Sequence, residues 1–269
     1  MKNIKVITVV QARMSSTRLP GKVMLLAAGK PLLLLMIERM KQAVKTGKVI
    51  VATSTNYEDD AIEKLCVENK IDFFRGHPTD LLDRHYWAGK KLKADAVVKI
   101  PSDCPLIDPK IIDRVIDHYI TNFDEYDYVS NLHPATYPDG NDVEIMSFEA
   151  LKTAWENANQ NFEREHTTPY IWTHPEMFKI GNIKWEANLD YSTSHRWTID
   201  YEEDYLFIKK VFEELYPVNP KFSMVDILNL LWLNPAIANL NSKYIGRYWY
   251  ENHLDELTNI EEYRKKIKV

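Results

Sequence analysis

Three cations stand close together early in the chain, in Val9-Val10-Gln11-Ala12-Arg13-Met14-Ser15-Ser16-Thr17-Arg18-Leu19-Pro20-Gly21-Lys22. Arg13, Arg18 and Lys22 repel one another on one short loop unless something anionic sits among them. Ser15, Ser16, Thr17 and Gly21 are small, so the backbone can approach a guest closely and offer its N–H groups. A triphosphate is the natural guest; a solvated basic turn is the alternative. The stretch is neither G-x-x-x-x-G-K-[ST] nor the dinucleotide G-x-G-x-x-G. A carboxylate far along the chain complements it. Asp103, in Lys99-Ile100-Pro101-Ser102-Asp103-Cys104-Pro105-Leu106, directly follows an apolar run and is placed to hold magnesium beside phosphate oxygens. Asp200, in Arg196-Trp197-Thr198-Ile199-Asp200, ends another apolar run and by itself reads as a helix N-cap. Asp204, one turn on, favours a helix N-terminus. Asp108, just before Pro109, reads as a cap as well.

The elements around these residues decide whether they can meet. Ile4 to Val10 is a β-branched run that reads as a buried strand. The cationic loop therefore sits at a strand's C-terminal end, where open α/β sheets bind ligands. Leu33, Leu34, Ile37, Met40 and Val44 recur at helical spacing, and Gly47 closes that helix. Residues 48–53 form a second strand, 59–69 an amphipathic helix, 71–74 a third strand. Thr79 caps a helix to about Lys93, and 96–100 is a fourth strand. This alternation predicts an α/β fold with a mainly parallel sheet and right-handed crossovers. The second half is less regular. It reads as a helix from Pro109, strands at 127–131 and 142–146, a helix capped by Ser147, a short helix over 163–172, strands at 178–184 and 196–199, and helices at 201–216 and 224–233. The tail from Asn234 carries Tyr244, Tyr248, Trp249 and Tyr250, expected to pack on the body or on another subunit.

Composition narrows the class. The chain has 269 residues with a net charge of −5, which argues against a nucleic-acid polymer as partner. The positive charge is local, which suits a small anionic ligand. Cys66 and Cys104 lie far apart without metal spacing, so a reducing cytoplasm is expected. The chain opens in a strand, so no signal peptide is expected. The apolar run Leu32 to Ile37 is too short to span a bilayer, so no membrane partner is expected.

Ser16-Thr17-Arg18-Leu19-Pro20-Gly21-Lys22, preceded by Gln11-Ala12-Arg13, resembles the nucleotide loop of the sugar-acid cytidylyltransferases. It is closest to the branch of the spore coat polysaccharide biosynthesis protein SpsF and similar to CMP-Kdo synthetase. The resemblance covers roughly residues 4–215. It implies a Rossmann-like nucleotidyltransferase fold of the GT-A-like kind. It further implies a nucleotidyltransferase domain over 1–233, a small inserted acceptor and dimerisation region at about 128–185, and a C-terminal extension over 234–269. The implied activity is transfer of CMP from CTP to an acidic sugar of the ulosonic or nonulosonic type, with release of pyrophosphate, for surface polysaccharide. Mg2+ is the implied cofactor, and a cytoplasmic homodimer the implied state.

The resemblance also distributes roles. Arg13, Lys22 and Asp103 are the implied catalytic residues, and Asp103 and Asp200 the implied metal ligands. Gln11, Ala12, Arg13, Ser16, Thr17, Arg18 and Lys22 would bind the nucleotide, joined by Asp83, Arg84 and Ser102; Thr53 and Ser54 are added by their place after the second strand, where any α/β protein has polar residues. Tyr137-Pro138-Asp139-Gly140-Asn141-Asp142-Val143-Glu144 and Arg164-Glu165-His166-Thr167-Thr168 resemble the SpsF branch specifically. They make Asp139, Glu144, Arg164 and His166 the implied acceptor residues, with Arg164 able to hold an acid bidentately. A structural ion-pair network of Arg164, Glu165 and Glu144 is the alternative. For Asp103 and Asp200 to share one ion, the 196–199 strand must join the sheet begun by residues 4–10. A phosphorylated sugar or polyol as acceptor stays open, as does a glycosyltransferase of similar fold. A glycosyltransferase would usually show Asp-x-Asp, which Ser102-Asp103-Cys104 lacks.

Overall fold

The computed structural model describes residues 4–246. In chain order the elements are β1 (Val6–Gln11), β2 (Leu26–Ala27), β3 (Lys30–Pro31), α1 (Leu32–Met40), β4 (Lys48–Ser54), α2 (Asp60–Glu68), β5 (Asp72–Gly76), α3 (Leu81–Leu92), β6 (Ala96–Pro101) and α4 (Pro109–Thr121). Then follow β7 (Tyr128–Ser130), β8 (Glu144–Ser147), α5 (Phe148–Asn157), α6 (Asn161–His166), α7 (Pro169–Thr173), β9 (Ile180–Asn182), α8 (Glu202–Leu215), α9 (Met224–Leu233) and α10 (Pro235–Ala238). Seven strands form one sheet in the order β5-β4-β1-β6-β8-β7-β9. The first four are parallel; β8 runs antiparallel between β6 and β7.

The expected alternation of the first half is thus present, and its physical cause is visible. Central parallel strands are covered on both faces, so they are apolar without interruption. Val6 and Val10 point to one face, where α1, α2, α4, α8 and α9 add Leu33, Ile62, Ile112, Phe207 and Ile227. Ile7 and Val9 point to the other, where α3, α5 and α7 add Leu82, Leu151 and Ile171. The chain winds from β1 outward to β4 and β5, then returns to β6 on the other side of β1. Gln11 and Pro101 end those two neighbours in register, which opens a crevice at the switch point. No helix of the described residues is long and apolar enough to cross a membrane.

Several expectations need correction. The first helix stops at Met40, and the exposed Val44 lies in a turn whose N–H, with that of Lys45, is bound by the Asp113 carboxylate. Asp80, not Thr79, caps α3, its Oδ1 accepting from the Asp83 N–H at 2.8 Å. The helix expected over 163–172 is two short ones, broken where Thr167 takes φ 74°. Residues 196–199 do not join the sheet, because β8 already occupies the free edge of β6. They run instead beside Asp139, with Trp197 N–H donating to Asp139 O at 2.8 Å and Ile199 N–H to Asp103 O at 2.9 Å. Gly140 permits this approach: its φ is 101°, and a Cβ there would come within 2.7 Å of the Trp197 carbonyl carbon. Tyr248, Trp249 and Tyr250 lie outside the described residues.

Candidate active site

The crevice beyond β1 and β6 is a cavity of about 360 Å³, within the range of small-ligand pockets. Its cationic wall is the loop after β1, folded back on itself. Ser16 N–H and Gly21 N–H both donate to Met14 O, at 2.9 and 2.8 Å. Met14 N–H in turn donates to Asp59 Oδ1 at 2.7 Å, and the buried Asp59 is fixed by Ser54 N–H and Oγ–H on its other oxygen. The loop therefore hangs from one buried carboxylate at the N-terminus of α2.

Lys22 is the pivot of the site. Its Nζ donates to Ile199 O at 2.7 Å and Asp200 Oδ1 at 3.0 Å, and lies 3.7 Å from Asp103 Oδ2. Arg18 Nη2 reaches the same Asp200 oxygen at 2.7 Å, while Arg13 Nη2 meets Glu165 Oε1 at 3.4 Å. Behind them Arg196 is buried among carboxylates. Its Nε and Nη2 donate to Asp204 at 2.9 and 3.0 Å, Nη2 reaches Asp200 at 3.3 Å, and Nη1 reaches Asp139 at 3.5 Å. Asp204 Oδ2 also accepts from the Asp200 and Tyr201 N–H groups. It so takes over the start of α8 and frees the Asp200 side chain for the cleft.

These neighbours set the charges. Burial alone would raise the Asp200 carboxyl, but Lys22 and then Arg18 hold it below the ordinary range. Asp139 and Asp142 are pushed up, first by burial and then by nearby carboxylates, with Arg196 partly offsetting this at Asp139. At the far end, burial would raise Glu144, but Lys99 Nζ at 2.5 Å and the Tyr128 hydroxyl at 2.6 Å bring it down. Burial, then Arg13, lowers the Arg84 guanidinium to about 10.

The donor set fits a hard divalent cation. Asp103 and Asp200 are partly exposed at the cleft wall, at 32% and 16%, and one ammonium bridges them. Magnesium commonly takes one or two carboxylates, with phosphate and water completing its shell. Among the described residues no cluster of three or more His, Cys, Asp or Glu could hold an ion without such help.

A sequence model of the family described as cytidylyltransferase matches residues 7–226. The chain belongs to the cytidylyltransferase family. It is a CTP-dependent nucleotidyltransferase, as the loop over 11–22 implied. It is 36% identical over 242 residues to an uncharacterised protein of Methanocaldococcus jannaschii, covering 89% of this chain and 95% of that one. It is 29% identical to the spore coat polysaccharide biosynthesis protein SpsF of Bacillus subtilis, covering 87% and 96%. It is 31% identical to a 3-deoxy-manno-octulosonate cytidylyltransferase of Bdellovibrio bacteriovorus, covering 89% and 90%. Among solved structures, a cytidylyltransferase from Leptospira borgpetersenii aligns at a TM-score of 0.82 and 35% identity, covering 88% and 97%.

Within this cytidylyltransferase the structure sorts the expected residues. Gln11, Ala12, Arg13, Ser16, Thr17, Arg18 and Lys22 line the cleft, as do Arg84, Ser102, Asp103 and Asp200. Gln11 Oε1 and Arg84 Nε are buried without a partner among the described residues. Asp139, Glu144 and His166 line the cleft too, Asp139 beside Arg196. Four expected residues stand elsewhere. Asp83 Oδ1 accepts from the indole N–H groups of Trp87 and Trp155, at 3.1 and 2.8 Å, away from the cleft. Ser54 is committed to Asp59, and Thr53 is fully buried beside it. Arg164 is taken by Asp80 Oδ2 at 2.7 Å and by the Trp155 and Ala158 carbonyls. It thus ties the end of α5 to the cap of α3. Arg196 received no role from the sequence, and no local signal pointed to one, since it lies in the non-helical stretch before α8. Asp108 is a cap as expected, and a double one: it accepts from Lys110 N–H at 2.7 Å and Met224 N–H at 2.5 Å.

Proposed function

We propose that the chain transfers CMP from CTP to a hydroxyl of an acidic sugar, of the ulosonic or nonulosonic type, in the assembly of surface polysaccharide. The observation that carries this reading is the Lys22 ammonium, which draws Asp103 and Asp200 together beside Arg13 and Arg18. Asp200 and Asp103 lie 3.0 and 3.7 Å from that ammonium although residues 196–199 lie outside the sheet. In this reading Arg13, Arg18 and Lys22 hold the triphosphate and offset the charge that develops on the leaving pyrophosphate. Asp103 and Asp200 would hold Mg2+, which would supply Lewis-acid polarisation of a phosphate oxygen. The acceptor hydroxyl gives up its proton to solvent as its oxygen bonds to the α-phosphorus, the bond from that phosphorus to the bridging oxygen breaks, and pyrophosphate leaves. The crevice's own contribution is alignment, which such reactions reward heavily.

The acceptor class rests on the relatives, whose names include a sugar-acid enzyme and a polysaccharide protein. A phosphorylated sugar or polyol is the alternative acceptor. The cytoplasmic homodimer is part of the same proposal and rests on the resemblance. Calorimetry with CTP, UTP, ATP and GTP plus Mg2+ should show clear preference for CTP. Pyrophosphate should then appear with a 3-deoxy-2-keto sugar acid. Equal binding of all four nucleotides, or preference for a purine, would remove the cytidylyl reading.

A further inference from the structure

A buried ion pair at the acceptor end takes no part in the chemistry above. Lys99 on β6 and Glu144 on β8 are register partners across the antiparallel ladder. Lys99 Nζ donates to Glu144 Oε1 at 2.5 Å, and the two side chains are only 10% and 3% exposed. Tyr128, fully buried, donates its hydroxyl to Oε2 at 2.6 Å. Both charged residues line the cleft, as do His133 and Trp172, whose ring centroids lie 4.7 Å apart.

Such a pair is a poor stabiliser. Desolvating both ions is costly, and apolar replacements of buried pairs are often neutral or better. Its position on a cleft wall points to recognition. Glu144 is the one hydrogen-bond partner that the described residues give Lys99. An ammonium carries three donors, and a carboxylate has about four lone-pair sites, more than Lys99, Tyr128 and Thr168 fill. Because the charges cancel, the pair does not draw in a second anion as a lone lysine would. A donor and a charged acceptor side by side, next to an aromatic wall, match two neighbouring hydroxyls. One hydroxyl accepts from Lys99 while the other donates to Glu144, and the C–H face of the sugar rests on the ring.

The placement agrees. Lys99 stands two residues before Pro101, about 7 Å down β6 from the strand end, with Asp103 beyond it on the rim. In a 2-keto sugar acid the reacting hydroxyl and the carboxylate share one neighbourhood, so both lie near the cations, and the hydroxylated tail extends toward β6. We propose that Lys99 and Glu144 form a hydroxyl-reading subsite that selects a sugar acid with a vicinal diol in its tail. This rests on the sugar-acid reading above.

The test uses the full chain with Mg2+ and CTP, and pyrophosphate release from 3-deoxy-2-keto sugar acids of six, eight and nine carbons. The double variant Lys99→Met/Glu144→Gln, which leaves no buried charge alone, should raise KM for the preferred acid at least tenfold. Its Kd for CTP should stay within twofold, and Lys99→Arg should keep most of the parent's KM. With an acid lacking the tail hydroxyls, parent and double variant should become alike. If the double variant does not fold, Lys99→Gln/Glu144→Gln carries the same readout. Turnover with an unmoved KM overturns the subsite and leaves the sugar-acid reading standing. A weakened CTP affinity in place of a raised KM also overturns it. No turnover by the parent with any acid, despite tight CTP binding, overturns both.

Discussion

Replacing Lys22 by methionine removes the ammonium that lies 3.0 Å from Asp200 Oδ1 and 3.7 Å from Asp103 Oδ2. On the proposed reading those oxygens are the ones a divalent ion would use. Two unit charges 4 Å apart interact by about 4 kcal/mol at an effective dielectric of 20, so an ion of twice the charge would meet about 8 kcal/mol of repulsion from an ammonium left in place. The ammonium must therefore withdraw before the ion settles. Withdrawal costs its net hydrogen bond to a charged group, about 1.5–3 kcal/mol, which is roughly 10- to 150-fold in Kd. Calorimetric titration with Mn2+ in the absence of nucleotide should thus show Lys22→Met binding the ion at least tenfold more tightly than the parent. CTP binding should weaken in the same variant. In the parent, CTP should itself tighten Mn2+ binding, because the triphosphate draws Lys22 and Arg18 away from Asp200. Equal Mn2+ affinity in variant and parent, without nucleotide, would refute the reasoning.

Asp103→Asn and Asp200→Asn should each slow pyrophosphate release by roughly 10²–10³, the scale of losing one preorganised electrostatic group, with little change in Tm; parent-like turnover in either would remove that residue from the metal site. Arg164→Ala should leave CTP affinity intact but lower urea stability by about 1.5–3 kcal/mol, since it loses a charged hydrogen bond to Asp80; a selective loss of acceptor binding would instead restore it to the cleft. His85 provides a pH test. Burial holds its folded pKa down, from 6.5 to about 3, so the unfolded chain binds more protons between those values. Stability should fall as pH drops through that window, by up to about 1.4 kcal/mol per unit, and His85→Gln should flatten the slope; chemical denaturation at pH 6, 5 and 4 would reveal an unchanged slope if the reasoning fails.

The sheet was legible because its central strands announce themselves. Runs such as Ile50-Val51-Ala52 and Val97-Val98 are apolar without alternation, as two covered faces require, and helices of clear period separate them. The cationic loop was legible because Gly21, Pro20 and the cations are local in sequence. What escaped was long-range competition for side chains. Nothing near Arg164 says that Asp80, eighty-four residues earlier, will claim it, and nothing near Asp83 says that two indole N–H groups from α3 and α5 will converge on it. Residues 196–199 have the composition of a strand, but whether a strand joins a sheet depends on a free edge, and β8 had taken it. Asp103 and Asp200 come near one ammonium by a route the sequence does not show, through Lys22 and the Ile199 N–H bond to Asp103 O.

The segment beyond α10 reaches back into this arrangement. Asn241, almost fully buried, donates through Nδ2 to Arg196 O at 2.9 Å and Asp204 Oδ1 at 3.0 Å. Three residues on, Tyr244 stacks 3.9 Å from Tyr201, the ring over which Arg18 lies. The crevice is thus braced from behind by chain that follows the last long helix. A premature stop just ahead of Asn241 would spare every residue that faces the cleft and every strand of the sheet. It would still leave Arg196 and Asp204 without a clamp, and through them the carboxylate of Asp200. Such a late truncation would be expected to resemble an active-site lesion, with CTP and metal handling impaired in a chain whose core remains whole.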